Sequence, residues 1–284
     1  WTIYRQLDYM LNMDLGFNKE NVFIQNVNYF PEFEEYTEML KRNPYIISAS
    51  AASDAPYNIK LQYSGVSWEG APPGTEELNF IELSCDSRYA ETFGLQVIQG
   101  DFIQSGLGWR TEITEETFDI LINESFKKLM GLENPLGVTI KYGLPGYNTA
   151  TGRIIGVVKD FYFRPMNYKV SPLIIRFSPG IFKNIYIKTN MINEGEALKS
   201  ISDTWSEFIS ITASSYLNTY PGYSQLLNSK PLILKSMDID YKALYKTESR
   251  LQKLLVIFSI LSIILSLLGI ISMITFIIEK RSKE

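Results

Sequence analysis

Histidine is absent from this chain. That excludes Ser-His-Asp and Cys-His catalysis, histidine-ligated zinc and the HExxH motif together. The single cysteine, Cys85, cannot close an internal disulfide; inside the apolar run FIELSC it reads as a small core residue. No GxxxxGK[ST] occurs, so the chain carries no P-loop of its own, and Gly106-Leu-Gly108 lacks the strand, third glycine and helix of a nucleotide fingerprint. Positive charge is also short: 27 Lys and Arg face 31 Asp and Glu, for a net −4. With no basic stripe interleaved with aromatics, nucleic acid is not the expected partner. Glu32, Glu34 and Glu35 read as charges favoured at a helix start, not as a catalytic pair. A hydrolase without histidine needs a carboxylate pair or a Ser-Lys dyad, and neither constellation is present, so no catalytic, cofactor-binding or metal-binding residue is expected.

What the sequence does hold is one long apolar run. Residues 254–278, LLVIFSILSIILSLLGIISMITFII, contain no charge, and a helix needs roughly 20 apolar residues to cross a bilayer. They read as a transmembrane helix. Basic residues stand on both flanks, Lys242, Lys246, Arg250 and Lys253 before it and Lys280, Arg281 and Lys283 after it, so the positive-inside rule does not orient the span. Ser259, Ser262, Ser266 and Gly269 share one helical face. Either that face lets another helix approach closely, or the serines bond their own backbone. Before the run, residues 238–253 read as an amphipathic stalk with Tyr241, Leu244, Tyr245 and Leu251 on one face. No proline or glycine falls between Asp238 and Gly269, so stalk and span are expected to form one continuous rod.

The remaining residues alternate short strands with a few helices. Strands are expected at 21–27, 46–52, 59–66, 78–85, 95–98, 138–142, 153–158, 173–177, 185–189 and 232–237. Helices are expected after Pro31, at 88–93 up to Gly94, after an N-cap at Asn123, and after Asn193 with Glu196 three residues on. The Asn123-Glu-Ser sequon is explained by that cap. Lys159 and Asp160, at a strand end, read as solvated turn residues. The fold class is α+β: a ferredoxin-like, split βαβ subdomain at 21–100 and 170–237, a smaller α/β insert at 101–169, and a membrane-proximal helix at 1–20. A chain that starts at Trp1 and stops in charge at Glu284 is expected to be a segment of a longer protein.

Several stretches together resemble one family. LGFNKENVF, RYAETFGLQVIQGDF, ILINESFKKLMGLENPLGVTI, IIGVVKDFYFRPM and the terminal YKTESRLQKLLVIFSILSIILSLLGIISMITFIIEKRSKE look like the periplasmic core domain and second transmembrane helix of MacB/FtsX-type ABC transporter permeases. The resemblance implies a bacterial inner-membrane permease subunit with its large domain in the periplasm and a first membrane helix before Trp1. It implies a non-enzymatic mechanotransmission role, with ATP bound by a partner ABC ATPase. Further implied partners are a second permease copy or half, and a periplasmic or outer-membrane protein. Glu279, Lys280, Arg281, Lys283 and Glu284 would begin the segment that meets the ATPase. The alternative is the extracytoplasmic sensor domain of a signalling receptor, which would also join a mixed α/β domain to a membrane helix.

Overall fold

The computed structural model describes residues 13–27, 32–104, 117–143, 149–165, 168–190, 192–216 and 232–283. Of the membrane-proximal helix expected at 1–20, residues 1–12 lie outside the described residues and 13–20 form bends and a turn, not a helix; the Gly106-Leu-Gly108 run and Glu284 also lie outside the described residues. In chain order the elements are β1 (Val22–Asn26), α1 (Phe33–Lys41), β2 (Ile46–Ala52), β3 (Gln62–Ser64), β4 (Val66–Trp68), β5 (Asn79–Ser84), α2 (Tyr89–Phe93) and β6 (Val97–Gly100). There follow β7 (Phe118–Asn123), α3 (Glu124–Met130), β8 (Thr139–Tyr142), β9 (Ala150–Val158), β10 (Leu173–Arg176), β11 (Asn184–Thr189), α4 (Glu194–Tyr216), β12 (Leu234–Ser236), α5 (Met237–Leu244) and α6 (Lys246–Lys283). The chain divides into two units, residues 14–240 and residues 1–13 with 241–284.

The first sheet has the order β12-β1-β11-β2, every pair antiparallel. With α1 between β1 and β2 and α4 between β11 and β12, this is the ferredoxin-like arrangement expected from the sequence. The helices pack through aromatics. Tyr36 of α1 meets Trp205 and Phe208 of α4 at ring-centroid distances of 5.1 and 5.2 Å, and its hydroxyl donates to the buried Gln25 Oε1 at 2.7 Å. Burying each such side chain contributes about 1.5–3 kcal/mol. Asn193 caps α4 by accepting from Glu196 N at 3.2 Å.

The second sheet runs β3-β5-β10-β7-β9-β8-β4, with β6 pairing β9 beyond the end of β8. Its pairings are mixed: β5 with β10 and β7 with β9 are parallel, the rest antiparallel. One face packs on α3 through Phe126 and Met130, together with Trp68, Phe80, Ile120, Ile140 and Ile174. This sheet is wider than the insert expected at 101–169, because strands from Gln62 to Ser84, Val97 to Gly100 and Leu173 to Arg176 belong to it. The physical reason is that β5 finds its partner in β10, about ninety residues on, a pairing that local alternation does not encode. The stretch 59–66 also divides, with a positive φ at Gly65 turning the chain between β3 and β4.

The two sheets are stitched at one corner. Ala52 bridges to Cys85, Ser53 N donates to Ser84 O at 2.8 Å, and Cys85 N donates to Arg176 O at 3.0 Å. Cys85 is fully buried, and burial holds its thiol well above the ordinary range, which leaves it inert. Asn123 does more than cap α3. Its Oδ1 accepts from Phe126 N and Leu173 N at 3.1 and 2.9 Å, and its Nδ2 donates to Asp160 Oδ1 at 2.7 Å. Asp160 also accepts from Ser125 Oγ at 2.7 Å, so this acid is the hub of a partly buried network rather than a solvated turn residue. The sequon asparagine is buried and fully bonded, which leaves its amide unavailable to a glycan.

Candidate functional site: the membrane helix and the strands that lead to it

The chain enters and leaves the folded domain at one place. Phe23 pairs with Ser236 and Gln25 with Leu234, so the start of β1 lies level with the end of β12. Lys19 Nζ meets Asp238 Oδ1 at 2.9 Å, which ties the approach to β1 to the first turn of α5. Two residues further on, Tyr57 Oη donates to Asp240 Oδ2 at 2.8 Å. Burial first, and then the carboxylate it donates to, hold the Tyr57 phenol above its ordinary range. The domain's two chain connections therefore emerge side by side.

From Met237 the chain is helical as far as Lys283, with one interruption. Tyr241 and Tyr245 are buried and meet at a centroid distance of 5.4 Å, Leu244 is half-buried, and Leu251 is exposed. The four stalk residues therefore do not share one environment. The rod expected from Asp238 starts at Met237 and is interrupted at Tyr245, whose N donates to Lys242 O at 3.2 Å. An i to i−3 bond tightens the turn there, which requires neither proline nor glycine. From Lys246 the helix is continuous for 38 residues through stalk and span, about 57 Å at 1.5 Å per residue.

Lys253–Ile278 is long and apolar enough to cross a membrane, and none of it is buried within the protein. A fully exposed apolar helix of 26 residues, about 39 Å, has no place in water. Ser259 Oγ donates to Leu255 O and Ser262 Oγ to Phe258 O, both at 2.8 Å. The hydroxyls so spent leave short side chains on the helix surface, and a Cβ at Gly269 would meet nothing within 4 Å. Lys280 and Arg281 are exposed at the far end; Glu279 and Lys283 continue the helix.

Among the described residues no group of three His, Cys, Asp or Glu could hold a metal. The buried Glu82–Arg176 pair, at 2.9 Å, is the one ion pair with a fully buried carboxylate among those residues; burial raises the Glu82 carboxyl and Arg176 pulls it back. It links β5 to β10 and has the character of a sheet staple. Sequence reading missed it, since neither residue sits in a recognisable motif.

The fold and the span define an α+β domain joined to a helix long and apolar enough to cross a membrane. No family model and no curated protein matches the chain. Among solved structures, it is similar to the periplasmic region of MacB from Actinobacillus actinomycetemcomitans, at 17% identity over 84% of this chain and 98% of that one, with a TM-score of 0.47. A domain of a putative permease protein from Porphyromonas gingivalis aligns at 15% identity over 63% of this chain and 80% of that one, TM-score 0.41. The extracellular domain of the noncanonic ABC-type transporter YknZ from Gram-positive bacteria aligns at 14% over 64% and 94%, TM-score 0.39. At these values none of the three assigns a role to any residue of this chain.

Proposed function

We propose that this chain is the periplasmic domain and one membrane helix of an ABC transporter permease subunit of the bacterial inner membrane, itself without enzymatic activity. It carries conformational change between a partner ATPase, which binds the ATP, and the periplasm. The observation that carries this reading is the helix from Lys246 to Lys283, which runs from the stalk to the charged end with no break in its helical assignment. A stroke is transmitted only by a helix that does not bend. The family resemblance of the sequence supports the same reading, as do the paired chain connections at β1 and β12.

In this scheme Ser259, Ser262, Ser266 and Gly269 face a helix of the second permease copy or half, where small side chains allow close approach. Glu279, Lys280, Arg281, Lys283 and Glu284 begin the segment that meets the ATPase. A periplasmic or outer-membrane protein engages the domain.

Leu251 is the place to test it. The side chain is exposed, so Leu251→Pro costs no core packing, yet it removes the bond to the Thr247 carbonyl and kinks the helix, at about 3 kcal/mol. In the full-length protein reconstituted with its ATPase, L251P is expected to retain ATP turnover and domain unfolding temperature while losing transport at least tenfold. Full transport by L251P would refute the rod.

A further inference from the structure

Away from the helix, a polar concavity of the described domain lies beside β1 and β11. It is a cavity of about 610 Å3 whose wall includes Asp54, Lys60, Lys183, Tyr186, Lys235 and Asp240. That volume is in the range of small-molecule sites. Its charges are unbalanced. Lys60, Lys183 and Lys235 are exposed and make no ion pair or side-chain hydrogen bond among the described residues, whereas Asp240 already accepts from Tyr57. Set against the Asp54 and Asp240 carboxylates of the same wall, the three ammonium groups leave one positive charge in excess among the described lining residues, which favours an anionic occupant.

A second observation is independent of charge. Tyr186 is fully buried in the cavity wall, and its Oη has no partner in hydrogen-bonding geometry; the Asn184 amide is close enough to influence the phenol but does not meet that geometry. A buried polar atom left unsatisfied costs about 1–3 kcal/mol, a cost that an occupant reaching the Tyr186 hydroxyl would relieve. A second cavity, about 580 Å3, shares Lys60 and Lys183 in its wall; its Arg176 is already paired with Glu82.

We propose that this cavity is a binding site for a small polar oxyanion, a phosphate ester or carboxylate on a hydroxylated body, held by Lys60, Lys183 and Lys235. Asp240 in the wall belongs to α5, so an occupant stands against the first turn of the helix through which the chain leaves the domain. The site stands or falls whether or not the chain partners with an ATPase.

The test titrates full-length protein in lipid nanodiscs with three probes on one carbon skeleton: glycerol phosphate, glycerate and uncharged glycerol. Calorimetry at low ionic strength is expected to show saturable binding of at least one anion with Kd near ~1 mM, and none of glycerol. The tighter anion identifies a phosphate or a carboxylate ligand. Lys60→Gln with Lys183→Gln is expected to weaken binding at least tenfold, and the single exposed change Lys235→Gln several-fold. Lys141→Gln, on β8 of the other sheet, is expected to bind as the parent does. All are surface changes whose folding is checked by unfolding temperature. Equal heats from the anions and glycerol, or anion binding unchanged in the double variant, would overturn the site.

Discussion

Asp86 is a carboxyl placed where a carboxylate is costly. It is 1% exposed, yet it accepts from Ser50 Oγ at 2.6 Å, Ala51 N at 3.1 Å and Arg88 N at 3.2 Å, joining β2 to the start of α2. Those donors and the Arg88 charge favour the ionised form, but burial outweighs them and pushes the group up from 3.8 to about 6. The sign follows from linkage. Between about pH 4 and 6 the folded state holds a proton that the unfolded state has released, so this group's contribution to stability is fully present below about 4 and declines as pH rises through 6. The window corresponds to about 3 kcal/mol at most. Glu82 is raised by burial too and adds a slope of the same sign, so the comparison must be made within one pair of proteins. Asp86→Asn is expected to cost a nearly constant amount above pH 7 and progressively more toward pH 4. Urea unfolding of both proteins at several pH values reads this directly, and parallel curves would show that Asp86 does not titrate in that range.

At the scale of the elements, glycines separate conformational strain from lack of space. Gly100 and Gly131 have nearly the same left-handed φ, +67° and +69°. A Cβ at Gly131, which closes α3, meets nothing within 4 Å, whereas one at Gly100 collides with the Ile155 carbonyl oxygen where β6 crosses onto β9. Gly131→Ala is therefore expected to cost the backbone term alone, about 1–2 kcal/mol. Gly100→Ala adds a backbone clash and is expected to cost at least twice as much, or to displace β6; equal losses in chemical unfolding would remove the steric half of the argument. The same strands show what was legible beforehand. Alternation and turn residues placed β2, β5, β10 and α3 within a residue or two, and Asn123 and Asn193 announced their helices, because those signals are local. Sheet membership was not legible, since β5 and β10 meet across about ninety residues. Nor was Asp160 as a hub, because a turn acid that bridges three groups and one that faces water look alike in one dimension. The turn at Tyr245 escaped as well: absence of proline and glycine permits a helix to continue without requiring it.

At the scale of the whole molecule, the span and the domain make a claim about sides that charge counting leaves open, and Cys85 makes it testable. That thiol is fully buried and held protonated, so residues 1–284 add no background of their own to a thiol reagent. Lys141 on β8 and Lys280 beyond the span are both exposed positions. If Lys253–Ile278 crosses the bilayer, the two lie on opposite sides of it. Lys141→Cys is expected to react with a membrane-impermeant maleimide on cells whose inner membrane is intact, and Lys280→Cys only after that membrane is permeabilised. Replacing an exposed lysine on either element changes no packing, so both variants should fold as the parent does. Labelling of both positions from the same side would mean that the helix lies along the membrane or against another protein. A rod that does not cross cannot transmit a stroke between compartments, and the permease reading would fall with it, while the oxyanion site beside β1 would remain to be judged on its own titration.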